Sequence, residues 1–456
     1  MKKRIIYALV LIFIVGFLII ANKKLLKVQT QHTEILKNHS LRKTTQLSIK
    51  ERLEKGLPPN TYFEEKYLLE INPHTGRTHP ENIYKVQQEL KEKQNIQYRT
   101  PGDAIDNRWI ERGPNNVGGR TRMVMYDPND ATHKRVFAGG VSGGLWVNDD
   151  ITDVNSPWTQ VGIDDNLSVT CMAVDPNNSQ IMYIGTGELY NPQQALGNGI
   201  WKSTDGGATW VNVYQLRGTT SVTSSIIVPG TYFMTDIIVR DKDGNPATTN
   251  DSEVFASIGG SFYSSNPKNT FVGLNDYGIF KSTDDGANWS QLTLDVDGNP
   301  VAANKFEIGL DNNLWMSTTR NIYQKGGGRI YSSTDGINFN LKHSITNGRR
   351  TEIATSKTYA NTLYVLGEVY TENGSGDEVA PFVSILKTSD AFATTPAILS
   401  LPNDATGSIP ADDFTRSQAW YNLVIEVDPT NDAIAYVGGI NLFRTTDSGV
   451  SWYQIS

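Results

Sequence analysis

The chain has 456 residues, 38% hydrophobic and 20% charged, enough apolar material for a large core and too much for disorder throughout. Its formal net charge of -7 argues against a partner held by phosphate neutralisation, so no nucleic-acid role is expected. A single cysteine, Cys171, excludes an intramolecular disulfide and any cysteine-based zinc site.

In chain order, Lys2, Lys3 and Arg4 precede an unbroken apolar run from Ile5 to Ala21. As a helix this run would measure about 25 Å against about 30 Å of hydrocarbon, which fits a signal-peptide core or a short, mismatched membrane anchor over 1–21. Ala21 is small but Ile19 is not, so the cleavage pattern is poor, and Lys23, Lys24 and Lys27 make the flanking charge nearly symmetric. Cleavage and retention both stay open. Either places the rest of the chain at the cell surface or outside the cell, with membrane contact only through the N-terminal helix. Residues 22–56 are polar without a sustained period and read as a linker or loosely helical stalk. Residues 57–107 read as a small helical pre-domain, where Ile83, Val86 and Leu90 recur at helical spacing after Pro80. His74 and His79 have no third ligand at useful spacing, and no metal is assigned to them.

Residues 108–456 carry a repeat. Ser203 to Trp210 reads STDGGATW, Ser282 to Trp289 reads STDDGANW, Thr445 to Trp452 reads TTDSGVSW, and Ser333 to Phe339 is a shortened copy. Asp149 with Trp158, and Thr388 to Asp390, read as decayed copies. The aspartates at 149, 205, 284, 335, 390 and 447 recur about every 55 residues with one enlarged unit, the mark of stacked or radial supersecondary units. In each copy an apolar strand end runs into a tight turn. The Asp carboxylate suits turn N–H groups, the Gly suits a positive φ, and the Trp starts the return strand. Two further short strands precede each hairpin, as at Val169 to Val174 and Ile181 to Gly185, joined by Asp175-Pro176-Asn177. Four antiparallel strands per unit make an all-β propeller blade, and six blades are expected over 120–162, 168–213, 235–292, 305–342, 350–393 and 421–455.

These segments resemble the Asp-box (BNR) repeat, S/T-x-D-x-G-x-T/S-W, of β-propellers such as sialidases, xyloglucanase-type glycoside hydrolases and sortilin-like receptors. The stretch from Trp109 to Arg120 is similar to the start of a group of large secreted proteins of Bacteroidetes-type bacteria, often exported by the type IX system. That resemblance implies secretion and, in many members, a C-terminal sorting domain, which these 456 residues do not contain.

The Asp boxes belong to the turns between third and fourth strands, so Asp205, Gly207, Trp210, Asp284, Gly286, Trp289, Asp335, Asp447, Gly449 and Trp452 are expected to be structural fasteners. The opposite rim gathers the long loops, and variable loops on a rigid scaffold are where binding resides. Tyr190, Tyr263, Tyr277, Tyr370 and Trp420 are the ligand-binding candidates there. Aromatic rings with carboxylates suit an extracellular glycan, and equally suit a protein; no cofactor is assigned, and Ca²⁺ has no specific motif to support it. Glycoside hydrolysis needs two carboxyl groups, roughly 5 Å apart if retaining and roughly 6.5–9.5 Å apart if inverting. Glu188 and Glu368, each close after a second-strand Gly, are the catalytic candidates. The arginine motif of sialidases is missing, since Arg120, Arg240 and Arg349 fall in no matching pattern. Binding without catalysis is therefore the first expectation and glycoside hydrolysis the alternative. Blade six already has an outer strand at Trp452 to Ile455, so a strand at Trp109 to Glu111 is left over. The expectation is an incomplete ring, with Trp109 to Glu111 belonging to a blade encoded beyond Ser456; the alternative is a closed six-blade ring with Trp109 to Glu111 packed as an extra peripheral strand.

Overall fold

The structure is a computed structural model. It describes residues 119–456 apart from 164–166, 191–196, 215–232, 246–247, 249–250, 260, 266–267, 273–276, 322, 373–377, 408 and 411–412, and before them 34, 37–38, 41–55, 61, 65, 68–69, 72, 86, 89–90 and 92. The chain divides into two compact units, Met1–Leu90 with Ser264–Asn269, and Lys91–Tyr263 with Thr270–Ser456. In the first unit, α1 (Leu41–Thr45) and α2 (Ile49–Glu54) are short helices. Ser48 opens α2 with a capping box: its backbone N–H donates to Glu51 at 2.8 Å, and the Glu51 N–H donates back to its hydroxyl at 3.3 Å. No helix among the described residues is long and apolar enough to cross a membrane, and the apolar run at 5–21 lies outside them.

The second unit is a six-bladed propeller, as the repeat predicts. Blade one is β1 (Thr121–Tyr126), β2 (Val136–Gly140), β3 (Leu145–Asn148) and β4 (Trp158–Gln160). Blade two is β5 (Val169–Asp175), β6 (Asn178–Thr186), β7 (Ile200–Ser203) and β8 (Val211–Tyr214). Blade three is β9 (Phe233–Asp241) and β10 (Ser252–Gly259), then, after a hairpin of β11 (Ser261–Ser265) and β12 (Lys268–Val272), β13 (Gly278–Ser282) and β14 (Ser290–Gln291). A short hairpin of β15 (Asp295–Val296) and β16 (Asn299–Pro300) leads to blade four: β17 (Ala302–Ile308), β18 (Leu314–Thr319), β19 (Arg329–Ser333) and β20 (Asn340–Ser344). Blade five is β21 (Gly348–Thr355), β22 (Leu363–Glu372), β23 (Glu378–Thr388) and β24 (Ala397–Ile398). One turn of helix, α3 (Ala419–Asn422), precedes blade six: β25 (Val424–Val427), β26 (Ala435–Gly438), β27 (Leu442–Thr445) and β28 (Tyr453–Gln454). All pairings are antiparallel, and the first strands of successive blades pack on one another, so they line the central axis.

Five hydrophobic clusters hold the blades together, one between each pair of neighbours in sequence. Blade one meets blade two through Met123, Phe137 and Leu145 against Met182, Ile184 and Trp210. The last cluster joins Tyr364, Leu366 and Ile385 to Ile425, Val437 and Phe443. Among the described residues no such cluster joins blade six to blade one, and β1 and β25 do not pack as the other neighbouring inner strands do. This seam is crossed at one end by Arg122, whose Nη1 donates to the Tyr421 carbonyl at 3.0 Å. The left-over strand at Trp109 to Glu111 lies outside the described residues.

Each Asp box closes its hairpin from within. Asp205 accepts the Thr209 backbone N–H at 2.8 Å and its hydroxyl at 2.6 Å, while Ser203 Oγ accepts the Gly207 N–H at 2.9 Å. Asp284 receives the Asn288 N–H at 2.8 Å, Asp335 the Asn338 N–H at 2.8 Å, and Asp447 the Ser451 N–H at 2.9 Å. Gly207 sits at φ +88, and a Cβ there would stand 2.8 Å from the Phe137 ring. Trp210 and Trp289 each donate Nε1–H to the box glycine carbonyl at 3.0 Å and pack against the preceding blade. In blade six the glycine is Gly449, and the Trp452 indole donates instead to Ser400 O at 2.9 Å. One assignment is corrected: in blade one the fastening carboxylate is Asp150, which accepts the Thr152 N–H at 3.0 Å and the Lys134 ammonium at 2.8 Å. Asp149 is 84% exposed in its side chain and only meets Arg135 at 3.2 Å. The register explains the shift, because Asn148 ends β3 as Ser203 ends β7, and the box Asp comes two residues later.

Hydrogen bonds from Thr209, side chain then backbone, hold Asp205 down to about 2, and those from Ser451 do the same for Asp447. A carboxyl held below its ordinary value stabilises the fold above that value and loses the contribution as pH falls through about 2. Asp205→Ala is expected to cost about 1 kcal/mol at pH 7, because the turn is partly solvated, and to flatten the acid limb of the stability–pH curve. Urea unfolding between pH 2 and 7 measures both, and an unchanged acid limb would contradict the fastener role.

Candidate functional site

The rim opposite the Asp boxes is where the first strands begin and the second strands end. Four blades send polar side chains to the axis there, and with Tyr421 of α3 they meet in a closed ring of contacts. Glu188, buried after β6, meets Arg122 Nε at 3.1 Å and accepts the Tyr190 backbone N–H at 3.2 Å. Arg122, from β1, donates to the Tyr421 carbonyl as described and lies over the Tyr421 ring at 4.9 Å. Arg350, from β21, donates to the same carbonyl, to Leu423 O at 3.2 Å and from Nε to Glu352 at 3.1 Å. Asn304, from β17, donates to Glu352 Oε1 at 2.9 Å and to Thr351 O at 2.8 Å, and its Oδ1 accepts the Tyr190 hydroxyl. The Tyr190 ring has Arg350 at 4.6 Å and Arg122 at 5.3 Å, a doubled cation–π contact. Burial, set partly against the two guanidiniums, pushes the Tyr190 phenol up to about 12. The ring of residues forms a plug in which every charge is matched.

A second cluster stands beside the plug on blade five. Tyr370 is covered by Arg320 at 4.6 Å and Arg349 at 4.9 Å, and Arg349 meets Glu368 at 3.4 Å. Alternation along β21 sends Arg349 and Arg350 to different neighbours. Trp420, on α3, is 44% exposed and leans on Tyr421 with ring centroids 5.3 Å apart.

The structure places the predicted residues unevenly. Tyr190, Tyr370 and Trp420 do stand at the long-loop rim. Tyr277 does not offer a binding face: it is 5% exposed, and burial pushes its phenol up to about 12. The side chain of Tyr263 lies outside the described residues. Glu188 and Glu368 are both buried, each paired to its own arginine in a separate cluster, so neither presents a free carboxylate. Arg122, Asn304, Arg350, Glu352 and Tyr421 are additions that residue patterns left unnoticed. The available signal was a polar or charged residue recurring inside an apolar first strand, as in Asn304 to Ile308 and Arg349 to Ile353.

Farther along the inner strands lies a mixed row of charges. Asp236 accepts the Phe306 N–H at 2.7 Å, and burial raises its carboxyl to about 6 although Lys305 opposes the shift. Lys305 is raised in turn, chiefly by Asp236, and reaches Glu307 at 3.9 Å. Glu426 is open to water yet ringed by protein, and burial followed by the neighbouring Glu307 pushes it up to about 7. The folded chain therefore holds this proton more tightly than the unfolded one. Stability should fall as pH rises from about 4.5 to about 7 and level off above. Glu426→Gln should remove that slope in a denaturation series, and an unaltered slope would assign it elsewhere.

No metal ligands were expected. Among the described residues Asp241, Asp243 and Asp251 do bring carboxylate oxygens within 4.8 Å of one another, at the turn between β9 and β10. That turn lies on the Asp-box rim, away from the plug. Its carboxylates cap their own turn, with Gly244 N–H donating to Asp241 at 3.0 Å and Asn245 N–H to Asp243 at 2.8 Å.

No protein-family profile matches the chain. It is 34% identical over 317 residues to a xyloglucanase of Hypocrea jecorina, covering 60% of this chain and 34% of that protein. It is 33% identical over 124 residues to the xyloglucanase Xgh74A of Acetivibrio thermocellus, covering 26% of this chain and 12% of that one. Among solved structures it is similar to the GH74 enzyme of Niastella koreensis, with TM-score 0.49 and 18% identity over 73% of this chain and 46% of that one. The chain thus spans from about an eighth to about a third of the length of the xyloglucanases it matches, and the curated likeness is to polysaccharide hydrolases.

Proposed function

We propose that this propeller belongs to a glycoside hydrolase acting on a xyloglucan-type polysaccharide outside the cytoplasm, with the long-loop rim as its sugar platform. The observation that carries the reading is the 34% identity to a xyloglucanase over 317 residues, which favours hydrolysis over the non-catalytic alternative. Trp420 is the proposed stacking residue, since a flat, exposed aromatic face matches the apolar face of a sugar ring, and the polar cluster around Tyr370 takes the hydroxyls. The arginine-rich plug holds that platform rigid.

One observation favours binding without chemistry by this propeller alone. Glu188 and Glu368 are each held by an arginine, and hydrolysis needs one carboxyl free to give a proton and another free to attack or activate water. The test is incubation of the purified full chain with xyloglucan, scoring reducing ends released and retention on a xyloglucan affinity gel. Release that survives Glu188→Gln and Glu368→Gln supports hydrolysis through other carboxyls. Retention without release, weakened by Trp420→Ala with Tyr370→Ala, supports binding alone. Neither release nor retention would sink the proposal.

A further inference from the structure

The repeat register allows each blade face to be compared position by position. The Asp-Pro turn aligns Asp127 with Asp175 and Asp428, and the strand pairings align the remainder. On the face turned towards the preceding blade, Met172 in blade two has Ile237, Phe306, Ile353 and Ile425 as counterparts in the next four blades. Those four are 0–3% exposed and Met172 packs in the cluster between blades one and two. The counterpart in blade one is Val124, which is 65% exposed. Tyr126 and Trp158 on the same face are 58% and 41% exposed, where their blade-two counterparts Val174 and Trp210 are packed.

The face turned towards the following blade behaves alike. Leu145, Ile200, Ile279, Ile330 and Ile385 occupy one position in blades one to five and are 0–2% exposed. Leu442 holds that position in blade six and is 44% exposed. Val424 on the same face is 45% exposed, against 5% for its counterpart Cys171. The two uncovered faces are thus of opposite kind. Each is continuous in register with five interfaces already formed, both open on one seam, and on blade six Glu426, Tyr436 and Arg444 share the face with Val424 and Leu442.

We infer that this seam is the seat of one further four-stranded blade of the Asp-box kind. The occupant must cover both faces, giving an Asp-box tryptophan to blade six and receiving Trp158 from blade one. The inference does not depend on the sugar reading.

The test is a chain extended after Ser456, through a short Gly/Ser linker, by a duplicate of blade two (residues 168–214). The extended chain should melt at least about 5 °C higher than the original. Val124→Cys and Leu442→Cys should react rapidly with a maleimide in the original chain and at least tenfold more slowly in the extended one. Leu442→Glu should cancel the gain in the extended chain and leave the original unchanged. An extension that alters neither melting nor labelling would overturn the inference. If the extended chain fails to fold, labelling of the original decides. Two reactive cysteines support the open seam, whereas two protected cysteines mean that blades six and one close on each other and exclude a further blade.

Discussion

Replacing Arg350 by Ala should destabilise the propeller by about 3–5 kcal/mol, since removing one partner strands a buried opposite charge. Arg350 is 4% exposed and serves four groups at once: Glu352, the Tyr421 and Leu423 carbonyls, and the face of Tyr190. Its loss would leave Glu352 with only Asn304 as a hydrogen-bond donor among the described residues and two backbone carbonyls without this guanidinium. Arg350→Lys should recover only part of the stability, because an ammonium cannot reproduce the planar fork that spans carboxylate and carbonyls. Urea unfolding at pH 7 measures both variants. A cost below about 1 kcal/mol for Arg350→Ala would show that the plug is not what ties blade five to the mouth.

Trp210→Ala and Trp158→Ala should differ sharply although the two residues hold the same place in their blades. Trp210 is 8% exposed, fills the cluster between blades one and two and donates its indole N–H to Gly207 O at 3.0 Å. Truncating a buried tryptophan leaves a cavity and costs about 3–5 kcal/mol. Trp158 stands on the uncovered face of blade one at 41% exposure, and its truncation should cost less than about 1 kcal/mol. Equal losses would mean that blade one is covered in solution, and would overturn the register argument for the seam.

These expectations separate what local chemistry dictates from what assembly decides. The Asp box is legible because its bonds close within a few residues, as from Ser203 to Gly207 and from Asp205 to Thr209. Composition and spacing alone therefore specify the hairpin, the blade and the number of repeats. Period-two patterning likewise marks the strands, because alternate side chains must go to opposite faces of a sheet. The misplacement of one fastener, Asp149 for Asp150, shows where the motif had lost its serine and glycine and only strand pairing could restore the register.

The mouth is of another kind. Arg122 and Tyr421 are 299 residues apart, and Tyr190 and Asn304 are 114 apart, so no local pattern links them. A charged residue on a strand looks the same in sequence whether it faces water or an axis where several blades converge. Glu188 and Glu368 were candidates that the sequence could not place relative to each other for that reason, and the fold gives each an arginine. Tyr277 looked like a rim aromatic, yet its neighbours bury it. The sequence by itself determined the all-β repeat, the turn chemistry and the rim on which the long loops lie. Only the tertiary structure decided which charges neutralise one another and which apolar faces stay uncovered, because both depend on the radial arrangement of blades whose meeting side chains are distant along the chain.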